Sequence, residues 1–463
     1  MGVGISNWRL AQAVSKTGQL GVVSGTALDQ VLARRLQNGD PGGDIRRALD
    51  AFPVREMADR IWNQLYIPGG KGATASYKTL PMPTRDASKE TQELYIVSNF
   101  VEVWLAREGH NNPVGINYLE KLQSPHLPSI YGAMLAGVGY VLMGAGIPSK
   151  IPGVLDHFVN HEPAEYPLYV IGATEADDTM LTFNPRDFIN MDLPPLKRPM
   201  FLAIIASNTL AISLLRRSNG KVDGFVVEGP IAGGHNAPPR GQLQLSEAGE
   251  PIYTERDVVD LAKLATLGVP FWLAGGYGSS SKLQEALEAG AAGIQVGTAF
   301  AFCEESGLRP DYRQQILGQV RSGEAKVFTD PLASPTGFPF KVANLPGTAS
   351  EAATYDARPR VCDLGYLREA YKTASGEIGY RCPGEPVTVY ESKGGHAENA
   401  AGRKCLCNGL MANIGLPQVR AGKHVEPGLV TAGDDLVALE HFLPRQGVDY
   451  SAADVISQLV CHA

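Results

Sequence analysis

What most constrains the fold is a series of short, almost wholly apolar runs set at intervals along the first three hundred residues. They are "LGVVSG" (20–25), "PVGIN" (113–117), "YVLMGAG" (140–146), "PLYVIGA" (167–173), "PMFLAIIA" (199–206), "DGFVVEG" (223–229), "PFWLAGG" (270–276) and "GIQVGT" (293–298). A strand with no polar alternation has to be buried on both faces, which marks parallel strands covered by helices. Segments such as "TERDVVDLAKLATLG" supply the helical period between them. The class is therefore α/β. Eight candidate strands, most ending in glycine or a small residue and none followed by G-x-G-x-x-G, suit a closed TIM (β/α)8 barrel better than a doubly wound sheet.

The chain has 463 residues, too many for a minimal barrel. Residues 39–110, with "PVREMADRIWNQLY" and "KETQELYIVSNFVEVWLAREG", read as a helical insertion. Trp62, Tyr66, Tyr95, Phe100 and Trp104 recur there at near-helical spacing, as packing residues do. After about residue 330 the alternation fades into a Gly/Pro-rich region, so 1–330 is expected to be the barrel and 331–463 a C-terminal subdomain. A net charge of -7 leaves no basic stripe for a phosphate backbone, which argues against nucleic acid. The start lacks a charged segment followed by an apolar one, and the uncharged stretch 127–147 resolves into a helix and a strand rather than a membrane span. A cytoplasmic protein with a small-molecule or acyl-thioester substrate is the expectation, with a homodimer or a carrier protein as partner.

In a barrel the loops after the strands build the site, and the last two commonly hold a phosphate. Gly275 and Gly276 follow one strand directly, and Gly297 and Thr298 follow the next. Glycine lets backbone N–H groups approach an anion, and a helix start adds a favourable dipole. The preceding strand ends in "EGPIAGGH", placing Glu228, Gly233, Gly234 and His235 on the same rim. Imidazole titrates near neutrality and handles protons, so His235 is the candidate catalytic residue, and the paired glycines would let a flat ring lie against the backbone.

These motifs, with the opening "MGVGIS" and the strand "VGIN", resemble the nitronate monooxygenases, formerly 2-nitropropane dioxygenases, and their relatives the flavin-containing enoyl-ACP reductases. The resemblance spans roughly the first 300 residues. It implies a TIM barrel that binds FMN, the phosphate held by Gly275-Gly276 and Gly297-Thr298, with His235 as the active-site histidine, acting as base or as a cation beside the nitro group. Met1, Gly2 and Asn117 match segments that touch the flavin ring in that family. Nitronate oxidation by O2 is the implied activity; the alternative is NAD(P)H-dependent reduction of an enoyl thioester by the same residues. Three features depart from the compact members: the chain opens at the "MGVG" motif, "HNAPPRG" lengthens the histidine loop, and the insertion and tail are more like a longer branch that includes reductase components of polyunsaturated fatty acid and polyketide synthases.

The tail also holds Cys362, Cys382, Cys405 and Cys407. Inert buried thiols are the plainer reading; the alternative is a zinc ion or an iron–sulfur cluster, although C-x-C stands where a zinc knuckle has C-x-x-C. His157 and His161, one helical turn apart, read as a solvated helix end.

Overall fold

The computed structural model describes residues 2–460. Seven strands, β1 (Gly21–Ser24), β2 (Val114–Leu119), β3 (Tyr140–Gly144), β4 (Met200–Ile205), β5 (Gly224–Glu228), β6 (Phe271–Ala274) and β7 (Gly293–Gln295), form one parallel sheet in that order. The register sets Ser24 beside Asn117, Asn117 beside Leu142, and Glu228 beside Ala274, so the strands' carboxyl ends share one rim. The two-residue period sorts their side chains. Val23, Ile116, Val141, Phe201, Phe225 and Phe271 pack outward into the main helical core, while Leu142, Leu202, Val226 and Ala274, with Val22 and Trp272, fill the inside of the curl.

Among the described residues no ladder joins β7 to β1. The segment 2–7 stands there instead. Ser6 accepts at its carbonyl from the Ser24 N–H at 2.8 Å, and Ile5 does the same for the Gly307 N–H at 2.8 Å, which ties β1 to the chain beyond β7. The α/β class and curled parallel sheet are as expected, but the run at 167–173 is not one of its strands. Its residues Val170–Ile171 pair with Ala370 and Tyr371, and Ala164–Pro167 pairs with Met180–Phe183, in small sheets outside the barrel.

The inserted region is helical at α3 (Asp44–Asp50), α4 (Arg55–Leu65) and α5 (Lys89–Arg107), after α1 (Trp8–Lys16) and α2 (Leu28–Gln37), with irregular chain over 66–88. Helix α5 starts where the Ser88 side chain accepts from the Thr91 N–H, and buries Val97, Phe100, Val101 and Val103 in the main core. The aromatic residues there are packing: Trp62 stacks on Tyr66 at 3.9 Å, and Phe52 meets Phe100 edge-on at 5.0 Å.

Beyond β7, strand β8 (Val327–Asp330) pairs antiparallel with β9 (Phe340–Ala343), and the chain then runs back over the carboxyl rim. Val430, Leu436, Leu439 and Tyr450 share a core with Phe302, Ile316 and Leu317. Leu364, Tyr366 and Met411 share another with Val3, Ala27 and Val31. No helix of the described residues is long and apolar enough to cross a membrane.

Candidate active site

A cavity of about 320 Å³ lies at the carboxyl rim, bordered by Gly2, Asn117, Glu228, Gly233, Gly234 and His235. Six of the residues singled out in the sequence thus meet in one place. Met1 lies outside the described residues. The roof comes from the tail, through Phe338, Phe340, Leu364, Tyr366, Met411 and Thr431. Nothing in the composition of 331–463 signals that role.

The loop carrying His235 is fixed by backbone pairing. Gly234 donates to Thr431 Oγ1 at 2.8 Å and accepts from the Lys341 N–H at 2.9 Å, while Asn236 donates to the Pro339 carbonyl at 3.0 Å. A Cβ at Gly233 would stand 2.8 Å from the Ala432 carbonyl carbon and 2.9 Å from the Gly433 nitrogen, so the close approach of the two chains requires glycine. His235 Nε2 hydrogen-bonds Ser334 Oγ at 2.7 Å, and its ring stands edge-on to Phe340 at 4.9 Å. Half-buried at the cavity wall, the imidazole is enclosed on its other sides, and burial pushes its pKa down to about 3. Burial thus favours the neutral ring in the unliganded cavity.

Glu228 answers in the opposite sense. Burial raises its carboxyl to about 7, so a partly protonated acid and a neutral base face the same space. Asn236, absent from the sequence-based site, is 1% exposed and borders the cavity. Its Nδ2 donates to the Ala232 carbonyl at 2.8 Å, but its Oδ1 has no partner. A buried acceptor without a donor costs about 1–3 kcal/mol. The signal that would have found Asn236 is its place directly after the histidine in "GGHN".

The expected phosphate loops do not border this cavity. Gly275 and Gly276 take positive φ of 87° and 82°, open to glycine alone, and pack on Gly229, Ile231 and Ala232. Thr298 Oγ1 accepts from the Gly433 N–H at 3.0 Å, and Asp434 donates its N–H to the Ile231 carbonyl at 3.0 Å. Both turns therefore flank the His235 loop, but a strap of residues 431–435 seals them. Asp435 sits among them with its carboxyl raised by burial and hydrogen-bonded to Thr298, and its Oδ2 would lie 3.8 Å from a Cβ at Gly278. Around Gly297 a Cβ would meet nothing within 4 Å. The ring end of a flavin thus fits the residues present, while its phosphate would meet a carboxyl group.

A second chamber of about 610 Å³ adjoins the first, sharing Leu122, Gly146, Ile147, Tyr366 and Leu367 with it. The metal reading of Cys362, Cys382, Cys405 and Cys407 is corrected: no three or more His, Cys, Asp or Glu side chains of the described residues form a group that could hold a metal ion. All four thiols border one small cleft beside the start of the helix Leu406–Asn413. Burial raises the Cys382 and Cys407 thiols and moves Cys362 up to about 11, so these three are inert and protonated.

Residues 195–328, which carry β4 to β7 and the His235 loop, match the family model for nitronate monooxygenase. Over these residues, under a third of the chain, the protein is similar to the nitronate monooxygenases. A nitronate monooxygenase of Paraburkholderia phytofirmans is 30% identical over 181 residues, 39% of this chain and 47% of that protein. A probable nitronate monooxygenase of Bacillus subtilis is 34% identical over 144 residues, 30% of this chain and 39% of that protein. The chain thus spans less than half the length of the curated nitronate monooxygenases it matches. Among solved structures, FabK from Thermotoga maritima aligns with a TM-score of 0.48 and 15% identity, covering 99% of this chain and 89% of that one.

Proposed function

We propose that this chain is an FMN-dependent oxidoreductase that oxidises alkyl nitronates with O2. The observation that carries the reading is a buried histidine and a buried carboxyl, Glu228, on the wall of one largely apolar cavity, both within the segment that matches the family model. A bound flavin would supply the electron acceptor that takes reducing equivalents from the substrate and passes them to oxygen. The backbone of Gly233 and Gly234, with Asn117, would hold its ring, and Gly275, Gly276, Gly297 and Thr298 are the loops nearest for its phosphate, where Asp435 now sits. His235 would take the α-proton of a neutral nitroalkane to give the nitronate, Glu228 in its protonated form can return a proton, and the tail excludes water from above.

The adjoining chamber of about 610 Å³ favours a second reading, reduction of an enoyl thioester whose long arm would occupy it. The absorption spectrum of the purified protein comes first: no flavin band, even after incubation with FMN, defeats both readings. Anaerobic mixing then separates them. Bleaching by propane-2-nitronate alone supports the monooxygenase, and rapid bleaching by NADH or NADPH supports the reductase.

A further inference from the structure

His235 is held by a residue nearly a hundred positions away. Ser334, with no exposed surface, meets Nε2 at 2.7 Å, and its hydroxyl also contacts Thr336 Oγ1 at 2.8 Å while accepting the Thr336 N–H at 3.2 Å. Thr336 is half-buried and borders the second chamber, not the first. The other ring nitrogen, Nδ1, has no protein partner among the described residues and is absent from the buried unpaired atoms, so it is open to a ligand. The Thr336 N–H takes one lone pair of Ser334 Oγ, leaving that oxygen one proton to give and one to receive. Two arrangements satisfy it: Nε2–H donates to Ser334 and Ser334 to Thr336, or Thr336 donates to Ser334 and Ser334 to Nε2. Each fixes one neutral tautomer of the ring.

We infer that Ser334 and Thr336 form a hydroxyl relay that links the proton chemistry of His235 to the second chamber. The inference rests on His235 being the proton-handling residue. When Nδ1 takes the α-proton of a neutral nitroalkane, whose C–H electrons become the nitronate's C=N bond, the Nε2 proton passes to Ser334 Oγ, the Ser334 proton to Thr336 Oγ1, and the Thr336 proton to water in the outer chamber. One proton enters, one leaves, and the imidazole never carries a charge. This suits a ring enclosed by protein, where an imidazolium is costly. The relay also explains why the tail is tied so closely to the histidine loop. Among the described residues Lys121 acts on the ring, its Nζ lying over Phe338 at 3.8 Å and donating to the Thr336 carbonyl, and Glu228, Tyr118, Tyr366 and Cys407 border the same cavity.

The test uses the FMN-loaded full chain and the variants Ser334→Ala, Thr336→Val and Thr336→Ser. In protein labelled with ¹⁵N-histidine, the ring nitrogens of His235 should report a neutral ring from pH 5 to 9, with a tautomer ratio altered in Ser334→Ala and Thr336→Val and restored in Thr336→Ser. Turnover of 2-nitropropane, which must lose its α-proton, should fall about 10- to 100-fold in the first two variants, while that of propane-2-nitronate, already deprotonated, should change little. Turnover in H2O–D2O mixtures should curve for wild type and straighten for Thr336→Val. An unchanged tautomer ratio in both Ser334→Ala and Thr336→Val overturns the relay, whatever the substrate. So does a linear wild-type profile. Should His235→Ala turn over normally, the assignment of the histidine fails first. Thr336→Val keeps the test sharp if Ser334→Ala does not fold, since Thr336 stands at a chamber wall.

Discussion

At the scale of single residues, the site depends on a histidine kept uncharged and a carboxyl kept partly protonated. The loss of general acid–base help is typically about 10²- to 10⁴-fold, so His235→Ala should retain its flavin band and lose most turnover by about that factor. Absorption and steady-state rates on one sample check both halves of the expectation. Glu228 offers a test in stability. Its folded pKa, about 7, lies above its ordinary value, so the folded state binds more protons than the unfolded state between those pH values. Its contribution is therefore most favourable at low pH and is lost as pH rises through 7. Glu228→Gln, permanently neutral, should raise the melting temperature by about 1 to 3 °C at pH 8 and change it little at pH 4.5, measured by scanning calorimetry.

At the scale of elements, β1 to β7 were legible because two-sided burial writes itself as an unbroken apolar run. The run at 167–173 misleads because its apolar residues serve local pairs in the excursion between β3 and β4, and a short apolar run reads the same in either setting. The glycines of the late loops were legible as residues but not in their packing. A turn that needs positive φ looks the same in sequence whether it cradles an anion or receives a strap from residue 433. Here it receives the strap, with Asp435 inside it. An incoming phosphate meets that carboxyl, and the repulsion grows as the group ionises. Asp435→Asn should therefore tighten FMN binding several-fold, read from quenching of flavin fluorescence during titration. Equal or weaker binding would mean that the phosphate lies elsewhere.

At the scale of the whole molecule, the cavity belongs to three distant parts of the chain. Its floor is the rim of the sheet, one side is the segment beginning at Gly2, and its roof is the tail, anchored by the Tyr366 hydroxyl donating to buried Asp29 and by Arg34 donating to the Leu416 carbonyl at 2.6 Å. No periodicity reveals such pairs, because the partners lie more than three hundred residues apart and each alone reads as an ordinary buried polar residue. The arrangement predicts how the fold responds to its ligand. A molecule held between floor and roof stabilises only the state in which both are in place, so local opening of either should become rarer by the full binding free energy. Loading with FMN should slow amide exchange at 233–236, at 364–367 and through the helix Leu406–Asn413 together, measured by mass spectrometry at fixed pH. Slowing restricted to the barrel loops would show that the tail opens independently of the ligand, and that the roof is cover and not part of the site.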